Sequence, residues 1–399
     1  MILTKNQHIF LELVRAGLFH ERVVQEFNVQ EFKDVAWSEV YRLSEEQSVV
    51  GLVTAGLELV QGEWFKVHGS PLVPQELALQ FIGSSLQIEQ TNKGMNAFVA
   101  KLIDHLRKQG IYALLVKGQG IAQCYEKPLW RSSGDVDLLL SDDNYMKAAE
   151  SLKAIAASVD EENTYNKHLA MTIDGWSVEL HGTLRSGLWK DIDRVLDGVQ
   201  GDVLFGGKVR SWMVQKVQDV QKVQGQGVQV FLPGADEDVV FVFSHILQHF
   251  FKEGIGLRQI CDWCRLLYTY REKLDLLLLE SRIRKAGIMS EWRAFATLAV
   301  QYLGMPEAAM PMFGSKVQEF KGKADKVMRF VLETGNFGHN RDYSYYQKYP
   351  YLVFKAISLW RHITDTYRYF RIFPLDSLKV LWRKMRVGSL VAVRGGLHE

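Results

Sequence analysis

Between residues 111 and 181 the apolar period of the chain changes, and that change limits the folds open to it. IYALLV (111–116), DVDLLL (135–140), HLAMTI (168–173) and WSVELH (176–181) are short β-type runs, and the last two flank Asp174-Gly175, a strong hairpin signal. On either side the apolar residues recur three and four apart. IFLELVRAGLF and WSEVYRLSEEQSVVGLVTAGLELV show this before the strands; DVVFVFSHILQHFF, LRQICDWCRLLYTYREKLDLLLLESRIRKAG and EWRAFATLAVQYLG show it after them. Pro71 and Pro74 interrupt the first helical region, and a further helix is expected from Gln75 to about Arg107. DDNYMKAAESLKAIAA opens with acidic residues able to cap a helix and continues with helix formers. Residues 195–233, which include the Val-Gln-rich stretch VRSWMVQKVQDVQKVQGQGVQVFLP, read as strands or a β-hairpin, a surface excursion of the core. The predicted class is α+β: a small mixed β-sheet core at 98–235, a helical N-terminal region at 1–97 and a helical C-terminal domain at 236–399.

Strand alternation then sorts the polar residues. In DVDLLL, Asp135 and Asp137 share one face, roughly 6.5–7 Å apart at Cα, and Val136, Leu138 and Leu140 point the other way into a core. Such a pair either gathers a divalent cation, for which Mg²⁺ prefers oxygen ligands, or is the polar edge of an ordinary strand. Three neighbours favour the cation. Gly134, just before the pair, allows close approach of a ligand or a strand. In SVELH, Ser177, Glu179 and His181 share a face, and a covered glutamate is costly unless it is paired or bound to metal. If WSVELH lies beside DVDLLL, Glu179 meets both aspartates. Finally, VKGQG ends a strand and opens a short helix, so backbone N–H groups at Gly118 and Gln119 can face a phosphate, with Lys117 and Arg131 adding positive charge or standing as solvated surface groups. These are the parts of a two-metal phosphoryl or nucleotidyl transfer site.

LLVKGQGIAQCYEKPLWRSSGDVDLLL resembles the signature of the uncharacterised nucleotidyltransferase-like proteins of the polymerase-β superfamily: a strand ending in Lys-Gly, a Tyr some residues on, then Arg-x-x-Gly-Asp-x-Asp and an apolar tail. The downstream V-E-L-H is similar, as is a helical stretch carrying His and then L-R-x-x-x-D. The likeness in layout covers residues 10–375, with its specific motifs at 115–140, 177–184 and 243–263. It implies a nucleotidyltransferase core flanked by helical regions, with Asp135, Asp137 and Glu179 as the catalytic, metal-binding carboxylates and Gly118 in the phosphate-binding turn. One departure stands out: Gln119 follows Gly118 where the best-known superfamily members carry a serine that touches phosphate.

The resulting expectation is an Mg²⁺- or Mn²⁺-dependent enzyme that moves NMP from an NTP to a small-molecule, glycan-precursor or protein acceptor. The alternative is a non-catalytic nucleotide- or glycan-binding scaffold of a biosynthetic assembly. His181, His245, Arg258 and Asp262 are candidates for the acceptor side. His245 and His249 lie four apart on a predicted helix, a spacing that suits a polar stripe facing the strands more than a metal site, and Arg258 and Asp262, also four apart, either pair with one another or line the cleft. Tyr125, Trp130 and Trp263 stack on a base or pack in the core.

Composition narrows the partners. The formal net charge is +2, which argues against nucleic acid, although the last 49 residues hold nine Lys/Arg against three Asp/Glu. That basic segment presents a solvated helical face or a peripheral contact with a membrane surface or polyanion. The N-terminus has no long uncharged apolar run like a signal-peptide core, and no stretch of about 18 apolar residues marks a membrane span. Three cysteines, Cys124, Cys261 and Cys264, make no disulfide framework, so a reducing cytoplasm is the expected setting, and the single CDWC pair does not suggest zinc.

Overall fold

A computed structural model describes residues 1–19, 32–68, 72–163, 167–215, 227–252, 254–314, 317–336, 353, 357, 360, 364 and 366–383. The first region is helical: α1 (Lys5–Leu18), α2 (Trp37–Glu46), α3 (Val50–His68) and α4 (Gln75–Lys108). Thr4 and Gln7 close a reciprocal capping box at the start of α1. Its apolar residues Ile9, Phe10, Leu13 and Val14 then fall three and four apart on a buried face. The crossing of α1 and α3 is backbone against backbone. A Cβ on Gly17 would lie 2.1 Å from the Leu52 carbonyl oxygen, and one on Gly56 the same distance from that of Leu13.

The middle of the chain runs β1 (Ala113–Val116), α5 (Gly118–Ala122), β2 (Asp135–Leu140), α6 (Asp142–Lys153), β3 (Ser158–Val159), β4 (His168–Ile173), β5 (Trp176–His181), α7 (Lys190–Leu204), β6 (Val209–Val214) and β7 (Val228–Pro233). The strands form one mixed seven-stranded sheet in the order β3-β4-β5-β2-β1-β7-β6. Asp174 and Gly175 both take positive φ, 49° and 81°, and so make the two-residue turn between β4 and β5. β5 then lies parallel to β2, with Asp137 opposite Glu179.

The expectation for 195–233 needs correcting at its start: residues 195–204 finish helix α7. Ile192, Leu196, Val199 and Val203 recur at helical spacing and are buried, a period that the valine content of the stretch obscured. β6 and β7 do pair as antiparallel neighbours, and residues 216–226 between them lie outside the described residues.

The C-terminal region is again helical: α8 (Ala235–Lys252), α9 (Leu257–Tyr270), α10 (Leu276–Ala286), α11 (Met289–Leu303) and α12 (Val317–Thr334). The long pattern at 257–286 is two helices, because the Asp275 side chain caps a new start by accepting from the Leu278 N–H at 2.9 Å. The helices before and after the sheet share one core. Arg15 Nε donates to the Tyr302 carbonyl at 3.1 Å and Gln47 Nε2 to that of Val331 at 3.0 Å. Part of the basic C-terminal segment lies outside the described residues; within it, the ring of Tyr369 packs on Phe250 and Phe251 of α8. Among the described residues no helix is long and apolar enough to cross a membrane.

The sheet has two unlike faces. Val136, Leu138 and Leu140 of β2, with Val178 and Leu180 of β5, pack on Val99, Leu102 and Leu106 of α4 and Tyr145 and Leu152 of α6. The opposite face carries Asp135, Asp137, Glu179 and His181 and looks toward α8 and α9 across a cleft of 490 Å³.

Candidate active site

The cleft floor is built by three chain segments. β1 ends at Val116, and the chain turns sharply into α5 through Lys117 and Gly118, at φ 57° and 38°. Gly118 meets this conformation at no steric cost, whereas a lysine there is strained by about 1–3 kcal/mol. That turn delivers the Lys117 ammonium to Asp137 Oδ1 at 2.7 Å, with Lys117 15% and Asp137 2% exposed. β2 supplies Asp135 and Asp137, and parallel pairing brings Glu179 of β5 alongside. One carboxylate oxygen from each of Asp135, Asp137 and Glu179 lies within 4.8 Å of the others. The structure thus brings together the three carboxylates that the sequence pointed to.

Histidines close the cluster. His181 Nε2 donates to Asp137 Oδ1 at 2.8 Å and approaches Glu179 Oε2 at 3.5 Å. His168 Nε2 donates to the same Glu179 Oε2 at 3.1 Å.

The charges are not balanced. The neighbouring Asp137 carboxylate, then burial, pushes the Asp135 pKa up. Burial works against the charge of Asp137, but Lys117 and His181 outweigh it and hold its pKa below the ordinary value. Hydrogen bonds from His168 and His181 hold Glu179 well below the usual carboxylate range. Burial disfavours charge on Lys117 and on His181, yet the carboxylates around them raise both. The residues fit a divalent cation: clustered oxygen donors, one of them short of positive charge, suit Mg²⁺ or Mn²⁺.

The remaining candidates divide. Gly118, Arg131, Gly134, His181, His245, Arg258 and Asp262 all line the cleft. The Gln119 side chain does not. It turns away into the core, where its Nε2 donates to Asn92 Oδ1 of α4 at 2.9 Å, so it offers a bound phosphate no side-chain donor. No atom lies within 4 Å of a Cβ placed on Gly134, so close approach of a strand is not what that glycine serves.

The Asp262 carboxylate favours the charge of Arg258, and each of the two also bonds to other segments. Asp262 is taken by the Arg131 fork, at 2.9 Å to Nε and 2.7 Å to Nη2, and by the Tyr125 hydroxyl at 2.8 Å. Arg258 donates to the Ser132 carbonyl at 2.8 Å. Arg131 and Arg258 thereby tie the RSSG loop, and with it the start of β2, to α9. His245 and His249 of α8 meet at 3.0 Å between Nε2 atoms, and burial holds His245 well below its ordinary pKa. Trp130 Nε1 donates to Glu89 at 2.8 Å, and Trp263 is fully buried against Phe243 and Trp292.

Sequence reasoning missed His168. It pairs directly with His181 across the hairpin, a position obtained by counting back from the Asp174-Gly175 turn. It also missed Lys252, whose Nζ donates to the Ser186 carbonyl at 2.9 Å on the far side of the cleft.

Fold and cleft together define an α+β protein with an acidic, glycine-flanked candidate cation site. The chain belongs to the uncharacterised nucleotidyltransferase family, whose pattern matches residues 33–304. That membership supports a general nucleotidyltransferase activity with a nucleotide as substrate. No curated protein and no solved structure matches the chain.

Proposed function

We propose that the chain is an Mg²⁺-dependent nucleotidyltransferase that moves NMP from an NTP to a small-molecule, glycan-precursor or protein acceptor by a two-metal mechanism. The observation that carries this reading is the convergence of Asp135, Asp137 and Glu179 at the floor of the 490 Å³ cleft, beside the Lys117–Gly118 turn. Asp135, Asp137 and Glu179 would hold Mg²⁺ or Mn²⁺, which supplies charge for the attacking oxygen and the leaving pyrophosphate. Lys117 stands in for part of that charge and is free to turn to a phosphate oxygen once a cation relieves Asp137. The α5 N-terminus presents its first backbone N–H groups at the positively twisted Gly118, while the Gln119 side chain leaves phosphate binding to the backbone. Arg258, His245 and Lys252 line the wall opposite and would contact the acceptor.

A second reading, a non-catalytic nucleotide or glycan binder, draws support from the Lys117–Asp137 ion pair, which fills the position of a cation with a side chain of the protein itself. A pyrophosphate-release assay over the NTPs, with Mg²⁺ or Mn²⁺ and a panel of hydroxyl and phosphate acceptors, separates the two. Release by wild type that Asp137→Ala abolishes is the expected result. Equal release by Asp137→Ala contradicts the enzymatic reading.

A further inference from the structure

Glu179 belongs to two groups of candidate ligands. One is the all-oxygen set with Asp135 and Asp137; the other is His168, Glu179 and His181, whose ligand atoms also lie within 4.8 Å of one another. We propose that this second group is a second cation site, sharing Glu179 with the first and selective for a first-row transition-metal ion such as Zn²⁺ or Co²⁺ over Mg²⁺.

The geometry is that of a ligand set around one ion. His168 and His181 use the same ring atom, Nε2, and aim it at the same oxygen, Glu179 Oε2, at 3.1 Å and 3.5 Å. Adjacent ligands of one ion with bonds of about 2.0–2.2 Å stand roughly 3.0–3.5 Å apart. Strand pairing fixes the arrangement: His168 and His181 are direct cross-strand partners of the β4–β5 hairpin, with ring centroids 5.0 Å apart, and Glu179 is two residues from His181 on the same face. An entry path exists, because the His168 side chain is 35% exposed and lines the cleft.

The donor chemistry decides which ion. Two imidazole nitrogens and one carboxylate oxygen suit borderline ions, whereas Mg²⁺ demands oxygens and keeps much of its water. The ion would take the place of the protons that now link the imidazoles to the carboxylates, and binding would release them to solvent. Asp137 Oδ1, already 2.8 Å from His181 Nε2, stands ready as a further oxygen ligand.

This site rests on the hairpin geometry and not on nucleotidyl transfer, so it is tested with the metal alone. Full-length protein stripped with chelator is titrated with Co²⁺, followed by visible absorption, and with Zn²⁺ by calorimetry, each in the presence of millimolar Mg²⁺. Wild type is expected to bind one Co²⁺ or Zn²⁺ with saturable d–d bands for Co²⁺. His168→Ala and His168→Gln are each expected to weaken binding about 10–100-fold and to change the Co²⁺ spectrum. Asp135→Ala is expected to keep that spectrum while losing Mg²⁺ binding. Circular dichroism shows that each variant remains folded, and the two His168 variants guard against a misfolded one. Failure of wild type to bind Co²⁺ and Zn²⁺, or equal affinity and an unchanged spectrum in a folded His168 variant, overturns the proposal and leaves His168 as a positioning residue for Glu179. Either result stands apart from whether Mg-NTP binds at the carboxylates.

Discussion

Two buried aspartates of the cleft, Asp137 and Asp262, are served very differently. Asp262 is gripped by one arginine fork and one phenol: Arg131 satisfies both of its oxygens, and Tyr125 adds a third bond. Burial disfavours the charge of Arg131, but Asp262 more than restores it. That is a local, matched arrangement, and it holds the RSSG loop on α9. Asp137 shares its cations, Lys117 and His181, with Glu179 and with a neighbour, Asp135, whose pKa is driven up. The difference teaches a way of reading buried charge. A matched pair within hydrogen-bond reach is architecture, while carboxylates that crowd one another on a cleft floor mark a candidate site.

Four outcomes break or sharpen that contrast. The largest belongs to the matched pair. Asp262→Ala leaves Arg131 buried without its carboxylate, and urea denaturation should show a loss of about 3–5 kcal/mol. A loss below 1 kcal/mol would mean that Arg131 simply relaxes into the cleft. The next belongs to the surplus. Asp135→Asn should lower pyrophosphate release about 10²–10³-fold while leaving the urea midpoint unchanged or slightly raised, since it removes a repulsion. A fall in stability comparable to that of Asp262→Ala would erase the distinction.

A smaller effect is stabilisation by the cation itself. Mg²⁺ at a hundred times its dissociation constant should add about 2.7 kcal/mol to wild type, read as a rise in thermal midpoint, and nothing to Asp135→Ala/Asp137→Ala. The smallest is a pH dependence. The folded pKa of His181 is raised, so the stability that it lends is full below its unfolded value of about 6.5 and fades as pH rises through the higher folded value. The difference in stability between wild type and His181→Gln should therefore shrink across that window in metal-free buffer. A difference that grows with pH would reverse the sign and the assignment.

Much of this was legible in the sequence because it is carried by local rules. Two-residue alternation placed Asp135 and Asp137 on one face and Val136, Leu138 and Leu140 on the other, and the Asp174-Gly175 turn fixed the hairpin that presents Glu179. The parallel neighbour of β2 could be proposed only conditionally, since no sequence rule says which strand comes to lie beside which. What stayed hidden depends on long-range partners. Gln119 stood out where superfamily members carry a phosphate-touching serine; that Asn92, 27 residues earlier on α4, would claim its side-chain amide is a tertiary fact. Asp262 sat at the right spacing for Arg258, but that Arg131, 131 residues away, would take both of its oxygens with a buried fork is a tertiary fact. His168 is the opposite case: its register was countable from the turn, yet nothing in a lone histidine at the start of HLAMTI marked it as a neighbour of Glu179 until the pairing was written out.

The central claim is that Asp135, Asp137 and Glu179 gather a cation that brings a nucleotide with it. Calorimetric titration of Mg-NTP into wild type and into Asp135→Ala/Asp137→Ala tests it directly. Saturable binding to wild type that falls at least about 100-fold in the folded double variant is the predicted result. Equal affinity in the two proteins would contradict it.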